Sequence, residues 1–143
     1  MKLLLVDTAS EKARLCLHRM QLDIFPYDSY VDITKGSWWV ASAGPEELLA
    51  GFGGMHYRHQ GEPLTAYLCL AGVYPEYRGR GIQRRLIRAR VNKARSLGLR
   101  RVVTDTYNNP ASANSLIACG FRAYMPEVPW KEDGAAYWMK DLQ

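Results

Sequence analysis

Apolar residues recur along the chain with two different periods, and each change of period marks an element. Residues 2–6 form a short extended run that predicts a first strand. Ala13, Cys16, Leu17 and Met20 then return at helical spacing, with Thr8 or Ser10 available as N-cap and Glu11 in the first turn. Residues 25–30 are aromatic and polar without a period, which predicts a loop or a short helix. Residues 37–42, 48–59 and 64–73 have strand composition and are divided by the turns Gly44-Pro45-Glu46-Glu47 and Gln60-Gly61-Glu62-Pro63, so they predict an antiparallel meander. Gly51, Gly53 and Gly54 inside the middle strand predict a bulge or a closely covered face. From Ile82 to Leu97 the spacing is helical again: Leu86, Ile87, Val91, Ala94 and Leu97 share the buried face, and Gly98 ends the helix. Residues 101–106 predict a strand parallel to the one before, since a helical crossover joins them. Asn109-Pro110 opens a further helix that stops at Cys119-Gly120. Residues 121–125 and 135–141 then close the chain as a strand pair around a loop holding Pro126, Pro129 and Trp130.

The chemistry concentrates where the third strand of the meander meets the long helix, in V-Y-P-E-Y-R-G-R-G-I-Q-R-R-L from Val73 to Leu86. Pro75 stops the strand, and Gly79 and Gly81 let the backbone turn and approach a ligand without a Cβ in the way. A helix start presents N–H groups without intrahelical partners at the positive end of the dipole, which suits a phosphate. Arg78, Arg80, Arg84 and Arg85 add full charges beside it. Two other phosphate loops are excluded. Arg84 stands where the third glycine of a dinucleotide fingerprint belongs, and no G-x-x-x-x-G-K-[ST] occurs.

This stretch resembles the acyl-CoA pyrophosphate loop of the GNAT superfamily of N-acetyltransferases, [QR]-x-x-G-x-[GA], with Arg78, Gly81 and Gln83 at its defining places. Glutamine thus replaces the last small residue. N-P-A-S-A-N-S-L-I-A-C-G-F, from Asn109 to Phe121, resembles the family's later motif, and the element order βααβββαβαββ is the family's. The resemblance implies an α/β GNAT-like fold over residues 1–143 as a single domain, with a mixed central sheet and helices on both faces. It implies acetyl-CoA as co-substrate, and transfer of its acetyl group directly to a primary amine of a small molecule, peptide or protein. The fourth and fifth strands would part at a bulge, with backbone groups of Ala71 and Val73 meeting the pantetheine arm. Arg78, Gly79, Arg80, Gly81, Ile82, Gln83 and Arg84 would hold the pyrophosphate, and Asn109 and Ser112 would line the cofactor from the next helix. Asn109 also reads as a helix-start residue ahead of Pro110, and the two roles are compatible.

Catalytic groups are less clear. The family's tyrosine acid, seven residues after the motif asparagine, is Leu116 here. A thiol of ordinary pKa near 8.5 departs as thiolate with little help, and Ser115, Tyr107 or water could supply the proton. Among strand carboxylates near the gap only Asp105 offers a base, with a water chain to a remote carboxylate such as Asp28 as the alternative.

Composition narrows the remaining readings. Apolar residues make up 48% of the 143, enough for a sizeable core. The net charge of +5 is concentrated between Arg78 and Arg101, which fits a polyanionic cofactor as well as nucleic acid. The basic run lacks interleaved exposed aromatics and matches no DNA-binding motif, which disfavours a nucleic-acid domain. A CoA-binding module without catalysis stays open. Cys16, Cys69 and Cys119 show no C-x-x-C spacing and predict reduced thiols in a cytoplasmic protein. Residues 1–6 are too short an apolar run to span a membrane. His56 and His59, three apart on an expected strand, would point to opposite faces, so no metal site is expected. Trp130 is the tryptophan best placed for exposure. A homodimer remains open, and nothing in the chain names the amine.

Overall fold

A computed structural model describes residues 1–28, 31–46 and 48–143, and among them the two sequence periods resolve into seven strands and three helices. The strands are β1 (Lys2–Leu5), β2 (Ser37–Ala43), β3 (Leu48–His56), β4 (Thr65–Val73), β5 (Arg101–Thr106), β6 (Arg122–Tyr124) and β7 (Ala136–Asp141). The helices are α1 (Glu11–Ile24), α2 (Ile82–Ser96) and α3 (Pro110–Ala118), with a 3-10 turn at Pro75–Tyr77. One mixed sheet runs β1-β2-β3-β4-β5-β7-β6. β2 to β4 form the expected antiparallel meander, β1 adds antiparallel to the outer edge of β2, β4 and β5 are parallel across α2, and β7 returns antiparallel between β5 and β6.

Each helix has a local reason for its ends. Ser10 caps α1 by accepting from the Ala13 amide at 3.3 Å, and Glu11 sits in its first turn. α2 ends on Gly98 at φ 75°, with the Leu99 amide reaching back to the Ala94 carbonyl at 3.1 Å. α3 starts on Asn109, whose Oδ1 accepts from the Ser112 amide at 3.1 Å, and stops on Gly120 at φ 89°. Two apolar layers hold the sheet between the helices. On one face Leu17 and Met20 of α1 pack on Ile33, Trp38 and Phe52. On the other, Ile82, Leu86, Ile87, Val91 and Ala94 of α2 pack with Leu116 and Phe121 over Trp39, Met55, Ala66 and Val102. The expectation of helices on both faces holds.

Two expectations need correcting. The βααβββαβαββ order placed a second helix between α1 and β2, but residues 25–28 and 31–36 form turns and coil, so the described order is βαβββαβαββ. Residues 29, 30 and 47, which the expected 25–30 loop and the Gly44-Glu47 turn include, lie outside the described residues. β3 ends at His56 rather than at residue 59, so strand alternation does not govern His59. Both rings instead flank Tyr67, with centroids 6.2 and 5.0 Å away. Among the described residues no cluster of His, Cys, Asp or Glu could hold a metal, and no helix is long and apolar enough to cross a membrane.

The glycines of β3 do both things expected of them. The β3–β4 register shifts between Gly54 and Met55, whose partners are Leu70 and Leu68, leaving Cys69 as the extra residue of a bulge in β4. A Cβ on Gly54 would lie 2.6 Å from the Trp38 ring, and one on Gly53 would lie 3.2 Å from Arg90 Nε. Gly54→Ala is therefore expected to overpack a site where Trp38 is fully buried and cannot yield. It should lower stability by about 1–3 kcal/mol in urea unfolding, with the m-value unchanged.

Candidate active site

Beyond Tyr67 the sheet opens. β4 pairs with β5 only through Thr65–Tyr67 and Arg101–Val103, after which the bulge turns β4 away. Thr104 marks the parting point, its hydroxyl donating to the Leu68 carbonyl at 2.8 Å. From there to Val73 one edge of β4 faces a gap instead of a neighbour. The gap widens into a cleft of about 680 Å³ at the strand ends, bounded by Ala71, Gly72 and Val73.

The loop between β4 and α2 forms the next wall. The 3-10 turn closes with the Arg78 amide donating to the Pro75 carbonyl at 3.2 Å, and Arg78 Nε donates back to the Val73 carbonyl at 3.1 Å, which pins the loop to the strand it leaves. Gly79 and Gly81 then take φ of 78° and 76°, the left-handed region where a side chain is strained. That turn aims the first amides of α2 into the cleft. No side chain caps this end and no acid stands in its first turn, in contrast to the side-chain caps of α1 and α3. Backbone donors, the dipole and the Arg78 and Arg84 charges converge there, which is the make-up of an anion site. Among the described residues no Asp or Glu lines the cleft.

α3 supplies the third wall through Asn109, Ser112, Asn114 and Ser115. Gln83 Nε2 donates to Ser112 Oγ at 3.1 Å and so ties the start of α2 to the start of α3. The glutamine at the small-residue place thus spans the cleft floor. Ile24 and Phe25, from the end of α1, also line the cleft. Leu116 is buried in the core at 4% exposure, while Ser115, one residue earlier, faces the cleft.

Of the residues singled out by sequence, Ala71, Val73, Arg78, Gly79, Gly81, Ile82, Gln83, Arg84, Asn109, Ser112 and Ser115 meet in this one cleft. Arg80, Asp105 and Tyr107 do not line it. Arg80 lies over the Tyr77 ring, 5.2 Å from its centroid, and donates to the Glu76 carbonyl at 3.4 Å. Tyr107 is 61% exposed. Asp105 sits in a separate polar–aromatic cluster, where its Oδ2 accepts from Tyr67 at 2.5 Å and from Trp130 Nε1 at 2.9 Å. Trp130 is accordingly half-buried rather than free. Its ring meets His59 edge-on at 4.3 Å and Tyr137 at 4.5 Å. Burial, then the charge of Asp105, raises the Tyr67 pKa and keeps the phenol a donor. Sequence reading missed this cluster, because its contacts cross 38 and 25 residues.

Residues 5–121 match the model of the acetyltransferase (GNAT) family. No curated protein matches the chain. Among solved structures, a Bacillus subtilis acetyltransferase in complex with CoA is similar at 21% identity and TM-score 0.74, over 99% of each chain. The Salmonella typhimurium protein yncA, solved with acetyl-CoA, matches at 18% identity and TM-score 0.72, over 100% of this chain and 94% of its own. A ribosomal-protein-alanine N-acetyltransferase from Brucella melitensis matches at 18% identity and TM-score 0.70, over 99% of this chain and 100% of its own.

Three histidines predict a pH-dependent stability. Burial lowers the pKa of His18, His56 and His59, helped by Arg14 at His18 and by Lys35 at His56 and opposed by Glu62 and Asp105 at His59. A lowered pKa means that the unfolded chain takes up its protons first as the pH falls. Their contribution to stability is thus complete above the ordinary histidine pKa near 6.5 and is lost as the pH falls toward the folded values. The urea midpoint is expected to drop between pH 7.5 and 5.5, and His59→Phe should flatten that drop. A midpoint that rises on acidification would contradict the sign.

Proposed function

The chain belongs to the GNAT family of acetyltransferases, and on that premise we propose that it moves the acetyl group of acetyl-CoA directly onto a primary amine. The observation that carries this reading is the uncapped, acid-free start of α2, opening beside a strand edge with no neighbour. Acetyl-CoA supplies an activated thioester: the amine nitrogen bonds to the acetyl carbon, the C–S bond breaks, and CoA leaves as a thiol. Amides 81–84, Arg78 and Arg84 hold the pyrophosphate, with Arg80 adding charge at the rim. Backbone groups of Ala71 and Val73 pair with the pantetheine arm as a strand would, and Asn109 and Ser112 bound it from α3. An amide at the β4 bulge donates to the acetyl oxygen as negative charge gathers there. Asp105, oriented by Tyr67 and Trp130, takes the ammonium proton through water, and Ser115, which lines the cleft, relays the proton that the attacking nitrogen sheds to the departing sulfur. The acceptor is a small amine or a peptide or protein amine, and the free thiols of Cys16, Cys69 and Cys119 fit a reducing, cytoplasmic setting.

A second reading, a CoA-binding module without catalysis, is favoured by two facts: among the described residues no carboxylate lines the cleft, and leucine stands at the place of the family's tyrosine. Turnover over an amine panel separates the two. Thermal shift addresses what they share. Acetyl-CoA at a hundredfold excess over Kd should stabilise the fold by about 2.7 kcal/mol, with dephospho-CoA close behind and pantetheine far weaker. Gly81→Val should lose most of that shift. A Cβ there meets no protein atom within 4 Å, so the variant's own cost is expected to come mainly from the left-handed strain, about 1–2 kcal/mol or more for a β-branched residue, and loss of the ligand shift beyond that reports crowding of the ligand. Equal shifts from CoA and pantetheine would remove the phosphate cradle.

Ser115→Ala is expected to lower kcat by about ten- to a hundredfold at unchanged KM for acetyl-CoA. A loss of that size in Tyr107→Phe, with Ser115→Ala unaffected, would move the proton donor to the end of β5.

A further inference from the structure

α2 carries one cation on its buried face. Arg90 follows Leu86 by four residues and precedes Ala94 by four, and it is 3% exposed. No carboxylate among the described residues pairs with it. Its Nε donates to the Leu86 carbonyl at 3.1 Å, within its own helix, and its Nη1 donates to the Gly54 carbonyl of β3 at 3.1 Å. Burial lowers its pKa to about 10, which leaves it cationic at neutral pH. A leucine or methionine would fill such a place at lower cost, since a desolvated charge without a counter-ion is unfavourable. Something other than core packing therefore accounts for arginine here.

Its location supplies the reason. Gly54 is where the β3–β4 register shifts, opposite the bulged Cys69. The guanidinium lies under Gly53, where a Cβ would come within 3.2 Å of Nε and 3.3 Å of Cζ, and the same Cβ would sit 3.5 Å from Ala71 Cβ. Glycine at 53 is what admits the guanidinium to the sheet. The group thus sits behind the point at which β4 leaves β5, and on the far side of that point lie Ala71 and Val73, which line the cleft.

We propose that Arg90 is a positioning residue of the cleft: by holding the Gly54 carbonyl at the register shift, it fixes the bulge and, on the acetyl-transfer reading above, sets the β4 backbone against the thioester. It touches neither cofactor nor acceptor and acts through the strand. Neither ladder can do this alone, because the bulge interrupts β3–β4 pairing at the place where β5 pairing ends.

The test compares wild type with Arg90→Lys, Arg90→Met and Gly53→Ala. Lysine keeps the charge but loses the fork, methionine removes the charge, and alanine at 53 pushes on the guanidinium from the sheet. Amide exchange of the protein alone is the first readout. Amides 54–55 and 69–71 should exchange about tenfold faster in the variants, with those of β2 against β1 and of β7 unchanged. Should Arg90→Met fail to fold, the other two variants carry the comparison. Exchange that stays at wild-type rates at 69–71, or that rises uniformly over the sheet, would overturn the clamp and leave Arg90 an ordinary structural residue. The second readout is kinetic: kcat for acetyl transfer should fall about tenfold while the acetyl-CoA Kd, dominated by the loop at α2, stays near wild type. Variants with loosened 69–71 amides and wild-type kcat would overturn the positioning role. Local loosening with no transfer from wild type to any amine would sink the acetyltransferase reading while the clamp stands.

Discussion

A β-strand buried in the middle of a sheet must satisfy hydrogen-bonding groups on both edges, and β4 meets that requirement on only one side beyond Tyr67. The cleft follows from this partial pairing. The bulge at Cys69 rotates the strand off β5, and Thr104 donates to the last shared carbonyl before the gap. The loop at Arg78 is bound back to Val73, so the cleft inherits its shape from the strand rather than from a mobile segment. An unpaired edge inside a sheet is costly in isolation, and it is favourable once an extended ligand supplies the missing donors and acceptors.

The electrostatics are organised around the same opening. α2 starts without a cap, an acid or a side-chain acceptor, and its dipole is left for something outside the chain. Gln83 donates to Ser112 across the floor, which ties the starts of α2 and α3 together beside the anion site. The carboxylate chemistry is held apart, in the Asp105 cluster under Trp130, where a phenol and an indole donate to the same oxygen. Asp105 is thereby held by its own donors and not by the arginines of the loop.

Local signals were legible in the sequence, and long-range ones were not. The Gly79 and Gly81 turn, the Asn109 cap and the Gly98 and Gly120 stops each depend on residues within one turn of each other, and the structure places them as the residue types demand. The glycine run in β3 announced a bulge or a covered face, though not that Trp38 and Arg90 would be the covering groups. Arg90 looks like its neighbours in a helix with six cations and no acid; only its spacing from Leu86 and Ala94 places it on the apolar face. The second helix assumed from element order has no counterpart in the described residues between α1 and β2, where the aromatic, aperiodic composition itself offered no helical repeat.

The parallel join has a consequence in time as well as in space. Thr65 meets Arg101 across the whole of α2, whereas the pairs of the β2–β4 meander close over short turns. Short closures lose less chain entropy and form early, and a crossover pairing must wait for its helix to dock. The meander is therefore expected to pair ahead of the β4–β5 join that defines the other lip of the cleft. During synthesis, while only the first hundred residues have emerged, β5 and α3 are not yet available, so two walls of the cleft are missing. Binding competence is among the last properties this chain acquires.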